Sequence, residues 1–179
     1  MMSRLPPSPI ASLSTIELAL DKAPQLQEFF DSSEAYFLAT SGEAAAPNEA
    51  LKEIASRVPQ DWGHTKKWAV GYVDHRDALV AMAKVITDLL ANSVFHIGTF
   101  IGATNRHGSG DAQILYAGLE RWSHDNGAAW MRLGVVSGNT RAERFWSSLG
   151  YFSVRWRDGV EMGRRAVSVQ SRQPAPTLG

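Results

Sequence analysis

The densest grouping of residues able to do chemistry is His107-Gly108-Ser109-Gly110-Asp111-Ala112. A glycine-rich turn that opens a helix presents unpaired backbone N–H groups and the positive end of the helix dipole, which together make an anion site. The Lys and Ser/Thr of a nucleotide-hydrolysing P-loop are missing, because Asp111 and Ala112 follow Gly110. A dinucleotide-binding fingerprint starting at Gly108 would need its third glycine where Gln113 stands. Nor is Gly108-Ser109-Gly110 the G-x-S-x-G elbow of a serine hydrolase. A second feature is Asn139, placed to open a helix that carries Arg141 and Arg144 one turn apart. Those arginines either reach an anion bound at the glycine turn or stay solvated.

These residues need a strand before the turn, a helix after it and a further strand and helix alongside. Lys67 to Val73 and Leu79 to Leu89 are β-rich runs joined by the polar turn Asp74 to Asp77, the pattern of a hairpin. A third run, Val94 to Ile101, leads into Gly102 to Gly110. The helix from Gly110 to about Asp125 has Leu115, Leu119 and Trp122 as one apolar stripe, and Asn126-Gly127 stops it. A strand at Trp130 to Val136, a helix at Asn139 to Leu149 and strands around Phe152 to Trp156 and Val160 to Val169 follow. Upstream lie a short strand at Thr15 to Ala19, a helix that Asp21 can cap with Pro24 in its first turn, and a helix at Asn48 to Arg57. The order predicts a single α/β domain, residues 12–169, with a mixed, largely antiparallel sheet flanked by helices. Residues 1–11 and 170–179, rich in Ser, Pro, Gln and Arg with little to bury, are expected to be flexible tails.

Composition narrows the chemistry. The 179 residues suit one domain with its own core. Lys plus Arg is 18 and Asp plus Glu is 18, so there is no net charge to drive general nucleic-acid binding. The absence of cysteine removes thiolate metal sites, iron–sulfur clusters and cysteine nucleophiles, and the 5 histidines are too scattered for a helical zinc pair. No metal cofactor is expected. No apolar run approaches the roughly 20 residues of a membrane span, and the opening residues have no apolar leader, so a cytoplasmic protein without nucleic-acid or membrane partners is the expectation.

The stretch Phe95 to Tyr151 resembles the core of the GNAT superfamily of acetyl-CoA-dependent N-acyltransferases. The family's phosphate signature, Q/R-x-x-G-x-G/A, reads here His107-x-x-Gly110-x-Ala112, with histidine where Gln or Arg is usual. The family's second element, an Asn-opened helix with an aromatic pair and a Gly-aromatic step, is matched by Asn139, Phe145-Trp146 and Gly150-Tyr151. The two lie at the family's usual separation, bracketing one helix and one strand.

The resemblance implies acetyl transfer from acetyl-CoA to a primary amine by direct attack, on a small-molecule or peptide acceptor, in a chain that could form a homodimer. It implies that Phe100, Ile101 and Gly102 pair with the pantetheine amides through their backbone. The amides of His107, Gly108, Ser109, Gly110, Asp111, Ala112 and Gln113 would hold the pyrophosphate, with Asn139 opening the neighbouring helix. The Asp111 carboxylate would be repelled by phosphate and reads as a first-turn acid favoured by the helix dipole. The family's glutamate base is replaced by His96 in His96-Ile97-Gly98. A neutral imidazole is a workable base, and hydrogen bonding within the sheet is the other role open to it. Regular alternation would put His96, Gly98 and Phe100 on one face of their strand. Where the family has its tyrosine acid the chain has Trp146, so proton delivery to the thiolate falls to Tyr151, Tyr116 or water, or is not needed. The acceptor pocket would be lined from Tyr36, Trp62, Trp68, Asp88, Trp156 and Glu161. An alternative function follows from the substitutions at His96 and Trp146: an acyl-CoA-binding sensor or partner-binding domain without catalysis.

Overall fold

The computed structural model describes residues 4–162 and 165–174, with side chains through residue 155. Seven strands form one sheet in the order β1-β2-β3-β4-β5-β7-β6: β1 Ser14–Glu17, β2 Lys66–Val73, β3 Leu79–Thr87, β4 Val94–Gly102, β5 Trp130–Val136, β6 Tyr151–Met162 and β7 Arg165–Pro174. The helices are α1 Ala23–Asp31, α2 Glu34–Thr40, α3 Glu49–Ala55, α4 Asp111–Asp125 and α5 Thr140–Ser148. Among the described strand pairs only β4 and β5 run parallel, as strands joined through a helix do; the rest are antiparallel. The expected mixed α/β architecture is the one observed.

The sheet is covered on both faces. Trp68, Val70, Tyr72, Ala83, Val85, Phe95 and Ile97 pack with Leu115, Tyr116, Leu119 and Trp122 of α4, and Trp146 of α5 joins this layer. On the other face Met82 and Ile101 meet Leu26, Phe29 and Phe30 of α1, Phe37 of α2 and Ala50 of α3. Strand runs apolar on both faces, such as β3, are what burial between two helix layers requires.

Several boundaries differ from the sequence reading. A 3-10 turn at Leu20–Lys22 precedes α1, so Asp21 lies in that turn and does not cap the helix. The sequence reading passes over α2, a seven-residue helix whose one fully buried side chain, Phe37, leaves too little periodicity to register. At the N-terminus Leu5 and Ile10 pack on the α4 layer, and the Pro9 ring sits where a Cβ on Gly118 would fall. Part of the segment expected as a tail is thus held. At the other end β7 runs to Pro174, so the boundary expected at Gln170 lies inside a strand. The backbone there pairs with β5 from Leu133↔Arg172 to Val136↔Val169 and with β6 on its other side. A strand paired on both sides has its backbone groups satisfied without apolar side chains to announce it.

Candidate active site

The site is set by where two strands part. β4 and β5 pair from Val94↔Trp130 to Ile97↔Leu133, and then each leaves with its other neighbour. β4 stays with β3, from Thr99↔Lys84 to Gly102↔Ala81, while β5 pairs with β7. The cleft between them has a volume of about 370 Å³. Its walls are residues 96–102 of β4, Leu133 to Val136 of β5, Tyr36 and Thr40 of α2, and Asn139, Ala142, Phe145 and Trp146 at α5. From Gly98 onward the β5-facing edge of β4 has no partner among the described strands, so its amides and carbonyls are offered to the cleft.

A β-bulge lies at the parting point. Lys84 pairs with Thr99 and Val85 with Ile97, which leaves Gly98 as the extra residue of β4. It resets the alternation expected from the sequence. His96 lies opposite Ile86, and Thr99 opposite Lys84, so both belong to the face covered by α1 to α3. Phe100 instead joins Phe95 and Ile97 on the α4 face. His96 and Thr99 therefore project from one face of β4 and Phe100 from the other, where a regular strand would put His96 and Phe100 together.

The glycine turn adjoins this cleft. Gly108 and Gly110 have φ of +83° and +87°, a left-handed geometry that glycine adopts without strain. Ser109 Oγ donates to the Arg106 carbonyl (2.7 Å) and accepts from the Asp111 N–H (3.2 Å). The first helical bond of α4 runs from the Ile114 N–H to the Gly110 carbonyl (3.2 Å), leaving the Ala112 and Gln113 amides in the unbonded first turn. A second cavity, of about 440 Å³, opens here between the turn and α5, with Arg141 and Arg144 on its α5 side. His107, Phe100, Gly102, Ala112, Arg141 and Phe145 border both cavities, so the two adjoin. The Asp111 carboxylate is bonded to the Arg106 guanidinium (2.8 Å), which offsets a charge that would otherwise oppose a bound anion. The His107 ring meets the Gly102 carbonyl at 3.2 Å. Desolvation first, and the Arg141 charge second, lower its pKa below the ordinary histidine value.

The remaining expected residues divide. Tyr36, from α2, is on the cleft wall, and burial together with the Glu53 charge holds its hydroxyl protonated. Asn139 caps α5 by accepting the Ala142 N–H at 3.2 Å. Trp68 is 3% exposed and packs edge-on against Trp122 in the α4 layer, outside both cavities. Asp88 is in the turn after β3, accepting from Thr65 Oγ1 and the Ser93 N–H, both at 2.7 Å, and serves that turn. Trp62 is in the turn before β2 and borders neither cavity. Trp156 and Glu161 belong to β6 by backbone, with side chains outside the described residues. Tyr151 is 3% exposed and its hydroxyl bonds that of Tyr116 beneath Phe100 and Trp146, so neither tyrosine reaches the cleft. Desolvation raises the pKa of both phenols.

Sequence reasoning missed Thr99, Lys84 and Glu53. Thr99 Oγ1 donates to Glu53 Oε1 (2.7 Å), and Lys84 Nζ pairs with the same oxygen (2.8 Å). The glycine within an otherwise β-branched and aromatic run was the available sign of a bulge. Nothing local in the sequence links α3 to β4.

Among the described residues no group of three or more His, Asp or Glu side chains is placed to hold a metal ion, and no helix is long and apolar enough to cross a membrane. Neither a family profile nor a curated protein matches the sequence. Solved structures do match. An acetyltransferase from Thermus thermophilus superposes with a TM-score of 0.70 at 15% identity, over 92% of this chain and 97% of that one. A GCN5-related N-acetyltransferase from Kribbella flavida gives 0.64 at 18%, over 92% and 98%. The spermidine N-acetyltransferase of Vibrio cholerae, in complex with CoA and spermine, gives 0.68 at 13%, over 94% and 98%. With its parted parallel strands and the glycine turn beside them, the chain has the fold of the GNAT N-acetyltransferases.

Proposed function

We propose that the protein is an N-acetyltransferase that moves the acetyl group of acetyl-CoA to a primary amine by direct attack. The observation carrying this reading is a pair of adjoining cavities, one at a helix N-terminus flanked by arginines and the other at an open strand edge. The donors suit the proposed co-substrate. The Ala112 and Gln113 amides, the α4 dipole, Arg141 and Arg144 suit a pyrophosphate, and the free edge of β4 suits the amides of a pantetheine arm. Acetyl-CoA supplies the activated acyl group. The backbone N–H groups near the Gly98 bulge then favour the charge that develops on the thioester oxygen. His96, on the acceptor-side wall, takes the proton that the amine must lose. Tyr151 is sealed in the core and does not protonate the thiolate, and a thiol's modest pKa lets it leave without that donor.

A non-catalytic acyl-CoA sensor is the second reading, favoured by Trp146 and by the burial of the nearby phenols Tyr116 and Tyr151. Incubation with acetyl-CoA and a panel of amines, reading out free thiol, separates the two. Amine-dependent thiol release supports the transferase. Tight CoA binding without release from any amine supports the sensor.

A further inference from the structure

β4 parts from β5 at the Gly98 bulge, and three side chains, Lys84, Glu53 and Thr99, are bonded together beside it. The stem of Lys84 lies across it, its Cε 2.9 Å from where a Cβ on Gly98 would be. The ammonium of Lys84 pairs with Glu53 Oε1 at 2.8 Å, and the same oxygen accepts from Thr99 Oγ1, the residue after the bulge, at 2.7 Å. Lys84 and Thr99 are cross-strand partners, so the ring of contacts closes within one register step. The side chains of Lys84 and Glu53 are 12% and 21% exposed, which shields the pair from water and salt. Lys67 Nζ donates to the carbonyls of Ile54 (2.9 Å) and Ser56, fixing the end of α3 from which Glu53 projects. A helix is thereby tied to the one irregular point of the central strand.

We infer that Glu53, Lys84 and Thr99 form a clasp that holds the bulged backbone of β4 in the geometry used for acetyl transfer. Glu53 and Lys84 are positioning residues, since they act through Thr99 and Gly98. The inference rests on the acetyltransferase reading. Its physical basis is that a bulge disrupts the ladder locally, so that side-chain contacts help to set its geometry, and that reacting groups displaced by about 1 Å can lose on the order of 10²-fold in rate. His96 sits on the same face immediately before the bulge, so the clasp also fixes the separation between the proton acceptor and the strand edge.

The test uses Thr99→Val, Thr99→Ser and the double variant Glu53→Gln/Lys84→Gln, which removes the ion pair without leaving a lone buried charge. Each is assayed with acetyl-CoA and whichever of spermidine, L-lysine or glycinamide the parent acetylates best. Amide hydrogen exchange across β4 is followed in parallel. Thr99→Val and the double variant should lose roughly 10- to 100-fold in kcat, while KM for acetyl-CoA stays within about threefold because the phosphate contacts are untouched. Exchange should accelerate at residues 97–100 and not in α4, and Thr99→Ser should restore both kcat and protection. A folded Thr99→Val with kcat within about twofold of the parent, or a loss that Thr99→Ser fails to restore, overturns the clasp while the transferase reading stands. A parent that acetylates none of the three amines overturns the transferase reading, and the catalytic role of the clasp with it.

Discussion

Replacing Ala112 with glutamate tests the anion site at its centre. Ala112 is in the first turn of α4 and borders both cavities, so a carboxylate there projects where the proposed pyrophosphate must bind. The fold should tolerate it, since an acid in the first turn favours the helix dipole by about 0.3–1 kcal/mol. Substituting Gly110 would be a poorer probe: at φ +87° any side chain costs about 1–2 kcal/mol of strain before charge is considered. Two unit charges about 6 Å apart at an effective dielectric of about 40 repel by roughly 1.4 kcal/mol. Two phosphate charges therefore cost about 2.8 kcal/mol, a loss of CoA affinity of about a hundredfold. Ala112→Gln, of similar size and uncharged, should lose much less, which separates charge from bulk. Isothermal calorimetry with CoA, paired with a thermal melt, measures both quantities. A folded Ala112→Glu protein that binds CoA within about twofold of the parent would show that the phosphates lie elsewhere, whatever the fold suggests.

His96→Gln should lower kcat by about 10²- to 10⁴-fold with little change in CoA affinity. A variant with the full kcat of the parent would leave His96 as a sheet residue. His107 has a lowered pKa and is mostly neutral at pH 7, so a bound pyrophosphate should draw a proton onto it. CoA binding near pH 6 should thus take up protons, seen as a dependence of the calorimetric enthalpy on the buffer's ionisation heat that His107→Gln abolishes. In the free protein the depressed folded pKa of His107 favours folding above the ordinary histidine pKa, and that contribution is lost as pH falls through the lowered value. Tyr151→Phe should cost about 1–3 kcal/mol of stability by stranding the buried Tyr116 hydroxyl, and leave kcat within a small factor. A large fall in kcat with an unchanged melting temperature would instead make Tyr151 the general acid.

The site and the fold were legible to different degrees, for reasons of range. The element order, the glycine turn opening α4 and the Asn139 cap are local: each depends on residues within one turn or one strand of each other, where periodicity and capping chemistry act directly. By resemblance these were enough to indicate the fold. The Asp111–Arg106 pair shows how a residue that looks awkward for an anion site is neutralised by a neighbour five positions back.

Tertiary structure alone decided which side chains line the cleft. The aromatics Trp68 and Tyr151 looked equally available for chemistry, yet packing against α4 and beneath Trp146 buries both, because a ring's burial depends on what crosses over it and not on its own strand. The bulge at Gly98 reset which side chains share a wall with His96, since one inserted residue reverses the faces of everything beyond it. Glu53 reaches Thr99 across 46 positions of sequence, a contact with no local signature, fixed only when α3 packs on the sheet. Sequence alone was sufficient for most of the element order and for the glycine turn that opens α4, because short-range geometry makes them. The shape and polarity of the cleft come from which faces the folded sheet turns toward it.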